Sequence, residues 1–255
     1  MKIYSWNVNG IRAVAKKGFH DFVKQAEADI LCLQETKASP DQLGFDLTEI
    51  EPYESIFASA EKKGYSGVAT YSKIKPINTQ VGLGESKFDR EGRTIISRYE
   101  HFTLFNIYFP NGKASPERLA YKMEYYAFLL EYLQKLLKTE QNLIICGDVN
   151  TAHQPIDLAR PKENEQISGF LQEERAWIDA LLKTGFIDSF RHFHPDVKDQ
   201  YTWWSQRSGA RARNVGWRID YFFVSQNLLS KLKAADVHPE VLGSDHCPIS
   251  LELHF

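Results

Sequence analysis

Cysteine is scarce in this chain of 255 residues: only three occur, Cys32, Cys146 and Cys247. An odd number gives no complete disulfide framework, and none of the three belongs to a CxxC pair. Cys32 and Cys146 lie inside apolar runs, which reads as reduced, buried thiols of a cytosolic protein. The HExxH pattern is missing as well, so the common zinc signatures are excluded. No stretch reaches the roughly 18 consecutive apolar residues that a spanning helix needs, and no membrane association is expected. The chain opens on Met1-Lys2-Ile3-Tyr4 without a charged leader before an apolar segment. A cytoplasmic location is therefore expected, in a prokaryotic cytosol or close to the nucleoid. Pro/Gly/Ser linkers, low-complexity tracts and internal repeats are absent too. Residues 1–255 are expected to form one domain.

An excess of positive charge is also missing. Asp and Glu number 33 against 31 Lys and Arg, for a net charge of −2. Proteins that coat nucleic acid by bulk charge are basic, because affinity comes from Lys and Arg displacing counterions from phosphates. Any polyanion must here be met by a local basic surface.

Aromatic residues are plentiful, at 13%, and much of the apolar content falls in short runs. Ile3 to Val8, Ile30 to Leu33, Val68 to Tyr71, Thr94 to Ile96, Phe102 to Phe109, Leu143 to Cys146, Ile219 to Val224 and Ile249 to Leu253 read as strands. Helical patterns alternate with them. Ser115-Pro116-Glu117 offers an N-cap and a first-turn proline for a helix to about Lys138. A second helix is expected over about Gln172 to Lys183, stopped by Gly185, and a third from Phe19 to Glu27. The mixture predicts an α/β class. Residues 151–170 and 196–218 lack regular periodicity and read as long loops, which in compact domains tend to carry function.

Polar residues recur where apolar strands end. Asn7 and Asn9 follow the first run, and Gln34-Glu35 the second. Tyr108 and Asn111 close the fifth, and Asp148 and Asn150 the sixth. Asp220 interrupts the run after Trp217, and Asp245-His246 precedes the last. Asn and Asp alone are common in turns, but six such placements in one chain point to a site. Carboxylates and amide oxygens are hard donors suited to Mg²⁺, with Mn²⁺ as a substitute. An Asp beside a His fixes an imidazole tautomer. The set suits metal-assisted phosphoryl chemistry.

Ser5-Trp6-Asn7-Val8-Asn9-Gly10-Ile11-Arg12, Leu33-Gln34-Glu35-Thr36-Lys37, Tyr108-Phe109-Pro110-Asn111-Gly112, Gly147-Asp148-Val149-Asn150, Asn214-Val215-Gly216-Trp217-Arg218-Ile219-Asp220-Tyr221 and Gly243-Ser244-Asp245-His246-Cys247-Pro248 resemble, in order and over nearly the whole chain, the exonuclease III-type abasic-site endonucleases. The resemblance implies a two-sheet, four-layered α/β sandwich of the DNase I-like kind, with its active site at one edge. It implies Glu35, Asp245 and Asn9 as metal ligands, although some relatives carry an acid where this chain has Asn9. Asp148 would orient or deprotonate the attacking water, and Asn150 and Asn7 would hold water, metal or phosphate. His246, oriented by Asp220, would bond a phosphate oxygen. Tyr108 would contact the phosphate or the leaving group, and Asn111 would hold the scissile phosphate.

The segment from Trp203 to Arg218 contains four Arg, three Trp and no acid. Arg207, Arg211 and Arg213 are suited to phosphate contacts. By resemblance, Trp203, Trp217 and Ile219 form an apolar pocket for an extruded abasic sugar, and Lys37, Tyr65 and Arg93 match backbone-contacting positions. A nucleotide lacking its base costs least to extrude. The expected activity is hydrolysis 5′ to abasic sites in double-stranded DNA, with 3′→5′ exonuclease and 3′-end cleaning activity, by a monomer. The rivals are a phosphatase of the same fold acting on inositol phosphates or phospholipids, and a DNA-binding module that has lost catalysis.

Overall fold

The computed structural model describes all residues from Met1 to Phe255. Fourteen strands form two six-stranded mixed sheets and a short hairpin. The first sheet contains β1 (Lys2–Asn7), β2 (Ile30–Gln34), β3 (Glu54–Ala58), β4 (Val68–Ser72), β13 (Leu232–Val237) and β14 (Ile249–Leu253), in the order β13-β14-β1-β2-β4-β3. The second contains β5 (Asn78–Val81), β6 (Thr94–Arg98), β7 (Thr103–Tyr108), β8 (Leu143–Asp148), β9 (Phe186–Asp188) and β12 (Asp220–Ser225), in the order β5-β6-β7-β8-β12-β9. The hairpin pairs β10 (Trp203–Trp204) with β11 (Gly216–Trp217).

Strand alternation sorts the side chains into layers. Tyr4, Trp6, Leu31 and Leu33 point outward onto the helix Phe19–Ala26, where they meet Phe19, Phe22 and Val23. Phe105, Ile107, Ile145 and Phe223 do the same on the other sheet, against Tyr125, Leu129, Leu133 and Ile178 of two longer helices, Pro116–Leu136 and Gln172–Lys183. The alternate positions face one another across a central core: Ile3, Ile30, Cys32 and Leu251 against Leu104, Ile144, Cys146 and Phe222. This is the four-layered α/β sandwich, confirming the fold class expected from the motifs.

The helices begin and end where their sequence signals lie. The Ser115 hydroxyl accepts from the Arg118 N–H at 3.3 Å, ahead of Pro116. Gly185, at φ 103°, follows the second helix. No helix is long and apolar enough to cross a membrane.

Along the seam between the sheets the inward residues change from apolar to polar. Past Ile3, Leu104, Ile144 and Phe222 come Ser5, Cys32, Asn106 and Cys146, all buried. The Gln34 amide donates to Ser5 Oγ at 2.9 Å and to Asn106 Oδ1 at 2.8 Å, bonding one sheet to the other. Beyond that rung the same inward alternation delivers Asn7, Tyr108, Asp148 and Asp220. The site is the polar end of the seam.

Candidate active site

Register places three of these groups side by side. Tyr108 on β7 pairs with Asp148 on β8, and Asp148 pairs with Asp220 on β12. Facing them, β1 ends at Asn7, whose strand neighbour Gln34 is followed by Glu35. The Asn7 amide donates to Glu35 Oε2 beside it at 3.1 Å and, across the seam, to Asp148 Oδ2 at 2.9 Å.

Two local turns of the same design lead out of the central strands. The Asn9 N–H donates to Asn7 Oδ1 at 2.9 Å, and the Asn150 N–H to Asp148 Oδ1 at 2.8 Å. Val8 and Val149 between them are buried in the two outer cores. Asn9, Glu35 and Asn150 hold φ of 46°, 57° and 57°. Asn tolerates this left-handed region, but Glu35 does so at a cost, and such strain concentrates at functional sites.

Asp148 and His246 approach to 3.8 Å, and His246 Nδ1 bonds Asp220 Oδ2 at 2.8 Å. Burial, opposed by His246 and reinforced by the Asp220 charge, pushes the Asp148 carboxyl up to about 7. Burial alone would lower His246, but the Asp220 and Asp148 carboxylates outweigh it and raise the imidazole to about 10. His246 is thus an imidazolium at neutral pH. Burial, Glu35 and Asp148 together hold the Tyr108 hydroxyl well above its ordinary range, so it remains a donor. The other Asp220 oxygen is buried without a hydrogen bond.

Glu35, Asp245 and Asn9 form the opposite side. Asp245 Oδ1 accepts from the Asn9 amide at 2.8 Å, and Oδ2 from the Trp203 indole at 3.1 Å. Burial disfavours its charge, yet His246 and these donors hold its carboxyl below the usual range. The Lys37 ammonium reaches Glu35 Oε1 at 3.0 Å and also donates to Asn9 Oδ1. These two oxygens therefore already accommodate a cation, and with Asp245 they make an all-oxygen donor set that fits Mg²⁺ or Mn²⁺. Asp148, Asp220 and His246 also cluster closely enough for a metal.

Asn9, Glu35, Tyr108, Asp148, Asp245 and His246 line a cleft of about 230 Å³ whose other wall is Trp203, Trp217 and Ile219. The two indoles meet edge-to-face, with centroids 6.3 Å apart. Leu158, Phe170 and Ala152 back them. Residues 151–170 and 196–218 thus do supply a wall, but they are not irregular throughout. Pro161–Asn164 is a helical turn, and the hairpin joins Trp203 to Trp217. Asn111 donates to Asn150 Oδ1 at 2.8 Å.

The basic residues separate into different roles. Arg207 and Arg213 are exposed beside the hairpin. Arg211 stacks on Trp204 and donates to the carbonyls of Pro239, Val241 and Ser244, joining the hairpin to the loop that carries Asp245. Arg218 is 1% exposed and binds Asp157 and Asp188, so one of the four arginines in that segment is structural. Arg93 is also buried: it donates to Glu91, the Tyr108 carbonyl and the Tyr65 hydroxyl. Its place is behind Tyr65 and Tyr108 rather than on the cleft surface. Three lining residues, Lys113, Ser168 and Gly169, escaped the sequence reading. Lys113 holds its ammonium 5.3 Å and 5.1 Å from the Trp203 and Trp217 ring centres. A lone Lys after Asn111-Gly112 gave no signal of that.

An α/β/β/α sandwich with an acid–histidine cluster and hard oxygen donors at one end of its seam is built for hydrolysis of phosphate esters. The chain belongs to the Endonuclease/Exonuclease/phosphatase family, whose profile matches residues 4–246. It is 46% identical over 252 residues to an exodeoxyribonuclease of Bacillus subtilis, covering 98% of each chain. It is 44% identical to a DNA repair nuclease of Danio rerio, across 99% of this chain and 82% of that one. Among solved structures, an AP endonuclease from Archaeoglobus fulgidus superposes with a TM-score of 0.90 at 29% identity, over the full length of both. A Neisseria 3′ phosphatase bound to a product DNA hairpin gives 0.92 at 30% identity, also over both full lengths.

Proposed function

We propose that this protein hydrolyses the DNA backbone 5′ to abasic sites in duplex DNA, with 3′→5′ exonuclease and 3′-end cleaning activity. The observation that carries this reading is the cleft itself: one wall gathers acids, amides and a histidine suited to activating water on a phosphate, and the other is an apolar slot of Trp203, Trp217 and Ile219 beside them. The exodeoxyribonuclease and AP endonuclease identities of full-length relatives support it.

A divalent cation held by Glu35, Asp245 and Asn9 would supply charge neutralisation at the scissile phosphate. Asp148, poised near neutral pH, accepts the proton of the attacking water, which Asn7 and Asn150 orient. His246, kept charged and aligned by Asp220, donates from Nε2 to a phosphate oxygen. Tyr108 and Asn111 donate to the same phosphoryl group as negative charge builds on it. The sugar without its base enters between Trp203, Trp217 and Ile219. Lys37, Tyr65, Arg207 and Arg213 contact the flanking backbone, while Arg93 and Arg211 hold Tyr65 and the hairpin in place. The protein acts as a monomer in the cytoplasm.

End-labelled duplexes carrying an abasic site, a uracil or a recessed 3′ end, each with Mg²⁺ and with EDTA, test the reading. Incision of the abasic duplex and shortening of the recessed end are expected with Mg²⁺, and neither with EDTA. Hydrolysis of soluble phosphate esters with no action on abasic duplex would replace it with the phosphatase reading.

A further inference from the structure

Lys122, on the helix Pro116–Leu136, and Glu174, on the helix Gln172–Lys183, are both fully buried and bonded at 2.7 Å. Neither side chain hydrogen-bonds a side chain assigned above to the chemistry, although Lys122 does bond the backbone of Asn150. Their remaining bonds run to two short segments, 150–151 and 168–171, that carry the cleft-lining residues Asn150, Ser168 and Gly169. The Lys122 ammonium donates to the Asn150 carbonyl and to Thr151 Oγ1, both at 2.8 Å, which exhausts its three protons. Glu174 Oε1 also accepts from the Ser168 hydroxyl at 2.9 Å, and Oε2 accepts from the N–H groups of Gly169 and Leu171 at 2.5 Å and 3.0 Å.

The two segments so joined do different work. Asn150 contacts Asp148, at 3.2 Å from its amide. Gly169 lies under Trp217, so close that a Cβ there would stand 3.1 Å from the indole and 3.4 Å from the Asn150 carbonyl. Both residues hold positive φ, 57° and 102°, a geometry that the local chain does not enforce by itself. A buried ion pair is an expensive way to stabilise a core, since packed apolar residues often do as well or better. What the pair supplies is a fixed geometry for two irregular segments.

We propose that Lys122 and Glu174 are positioning residues that lock the water-activating side of the cleft to its apolar wall, so that seating of the sugar and alignment of the attacked phosphate are set together. The proposal rests on the abasic-site reading above.

The test is the double variant K122M/E174Q, which removes both charges and so leaves no unpaired ion. Single-turnover cleavage of abasic and intact duplex is measured alongside thermal unfolding and hydrogen exchange at the amides of Gly169 and Leu171. The expected result is a variant that unfolds cooperatively near the wild-type temperature but exchanges those two amides faster. It cleaves abasic duplex about 10–100-fold more slowly at saturation and loses roughly tenfold of its preference over intact duplex. Should the double variant not fold, Ser168→Ala removes a single bond to Glu174, and a smaller loss of preference is expected from it. Wild-type rates and preference in K122M/E174Q, or in Ser168→Ala if only that variant folds, overturn the proposal. A wild-type protein that shows no preference for abasic duplex overturns the functional reading instead.

Discussion

Burial treats the acids of the cleft unequally, as the proposed division of their work requires. Asp148 is fully buried and rises to about 7 with Asp220 as a like-charged neighbour, against the opposing pull of His246, whereas the half-buried Asp245 is held below the usual range by His246, Asn9 and Trp203. One is suited to accept a proton and the other to hold a cation. In the proposed mechanism Asp220 acts through His246, to which it is bonded at 2.8 Å. Removing either member should cost kcat a similar amount. The Asp220→Asn/His246→Ala pair together should be little worse than the worse single variant, because residues acting as one unit are not additive. Losses that multiply in kcat would contradict the dyad. Glu35→Gln should raise the Mg²⁺ concentration needed for half-maximal cleavage, with partial recovery at high Mg²⁺. An unchanged Mg²⁺ titration would remove Glu35 from the ligand set.

At the scale of the element, the hairpin bearing Trp203 and Trp217 depends on a buried charge network. Arg218 bridges Asp157 and Asp188, and Arg191 reaches Asp157 at 2.6 Å. Burial would raise the Asp157 carboxyl, but Arg218 and then Arg191 outweigh it and pull it down to about 2, from an ordinary 3.8. A depressed carboxyl stabilises the fold above its unfolded value, and that contribution disappears as pH falls through the folded one. Asp157→Asn should therefore be less stable than wild type at neutral pH, with the gap in unfolding midpoint narrowing between pH 4 and 2. A gap that persists unchanged at pH 2 would show that the charge is not its source. The same scale explains what the sequence concealed. All eight strands expected from apolar runs are present, but β3, β5, β9 and β13 were not expected. Each is the edge of a sheet. The exposed pattern of Asn78–Val81 leaves a weak hydrophobic signal, and Phe186–Asp188, though mostly buried, is only three residues long. Trp203–Trp204 and Gly216–Trp217 are too short to show a period at all.

For the whole molecule, the seam between the sheets is the organising feature. The strand-end residues were legible because each stands at the end of an apolar run, and alternation puts them on one face. That the two sheets would face each other across those ends came from the order of the motifs, not from periodicity. Lys122–Glu174 and the burial of Arg93 and Arg218 were not legible. A charged residue inside a helix or a basic segment looks the same whether it faces solvent or the core. The central claim is that one wall of the cleft performs the chemistry and the other recognises the missing base. Paired binding and single-turnover cleavage of abasic and intact duplexes by Asp148→Asn and Trp217→Ala test it most directly. Asp148→Asn should still bind abasic duplex, as tightly as wild type or more so, and lose about 10²–10⁴-fold in cleavage rate. Trp217→Ala should keep cleaving but discriminate less between the two duplexes. Normal cleavage by Asp148→Asn, or an undiminished preference for abasic duplex in Trp217→Ala, would contradict this division of labour.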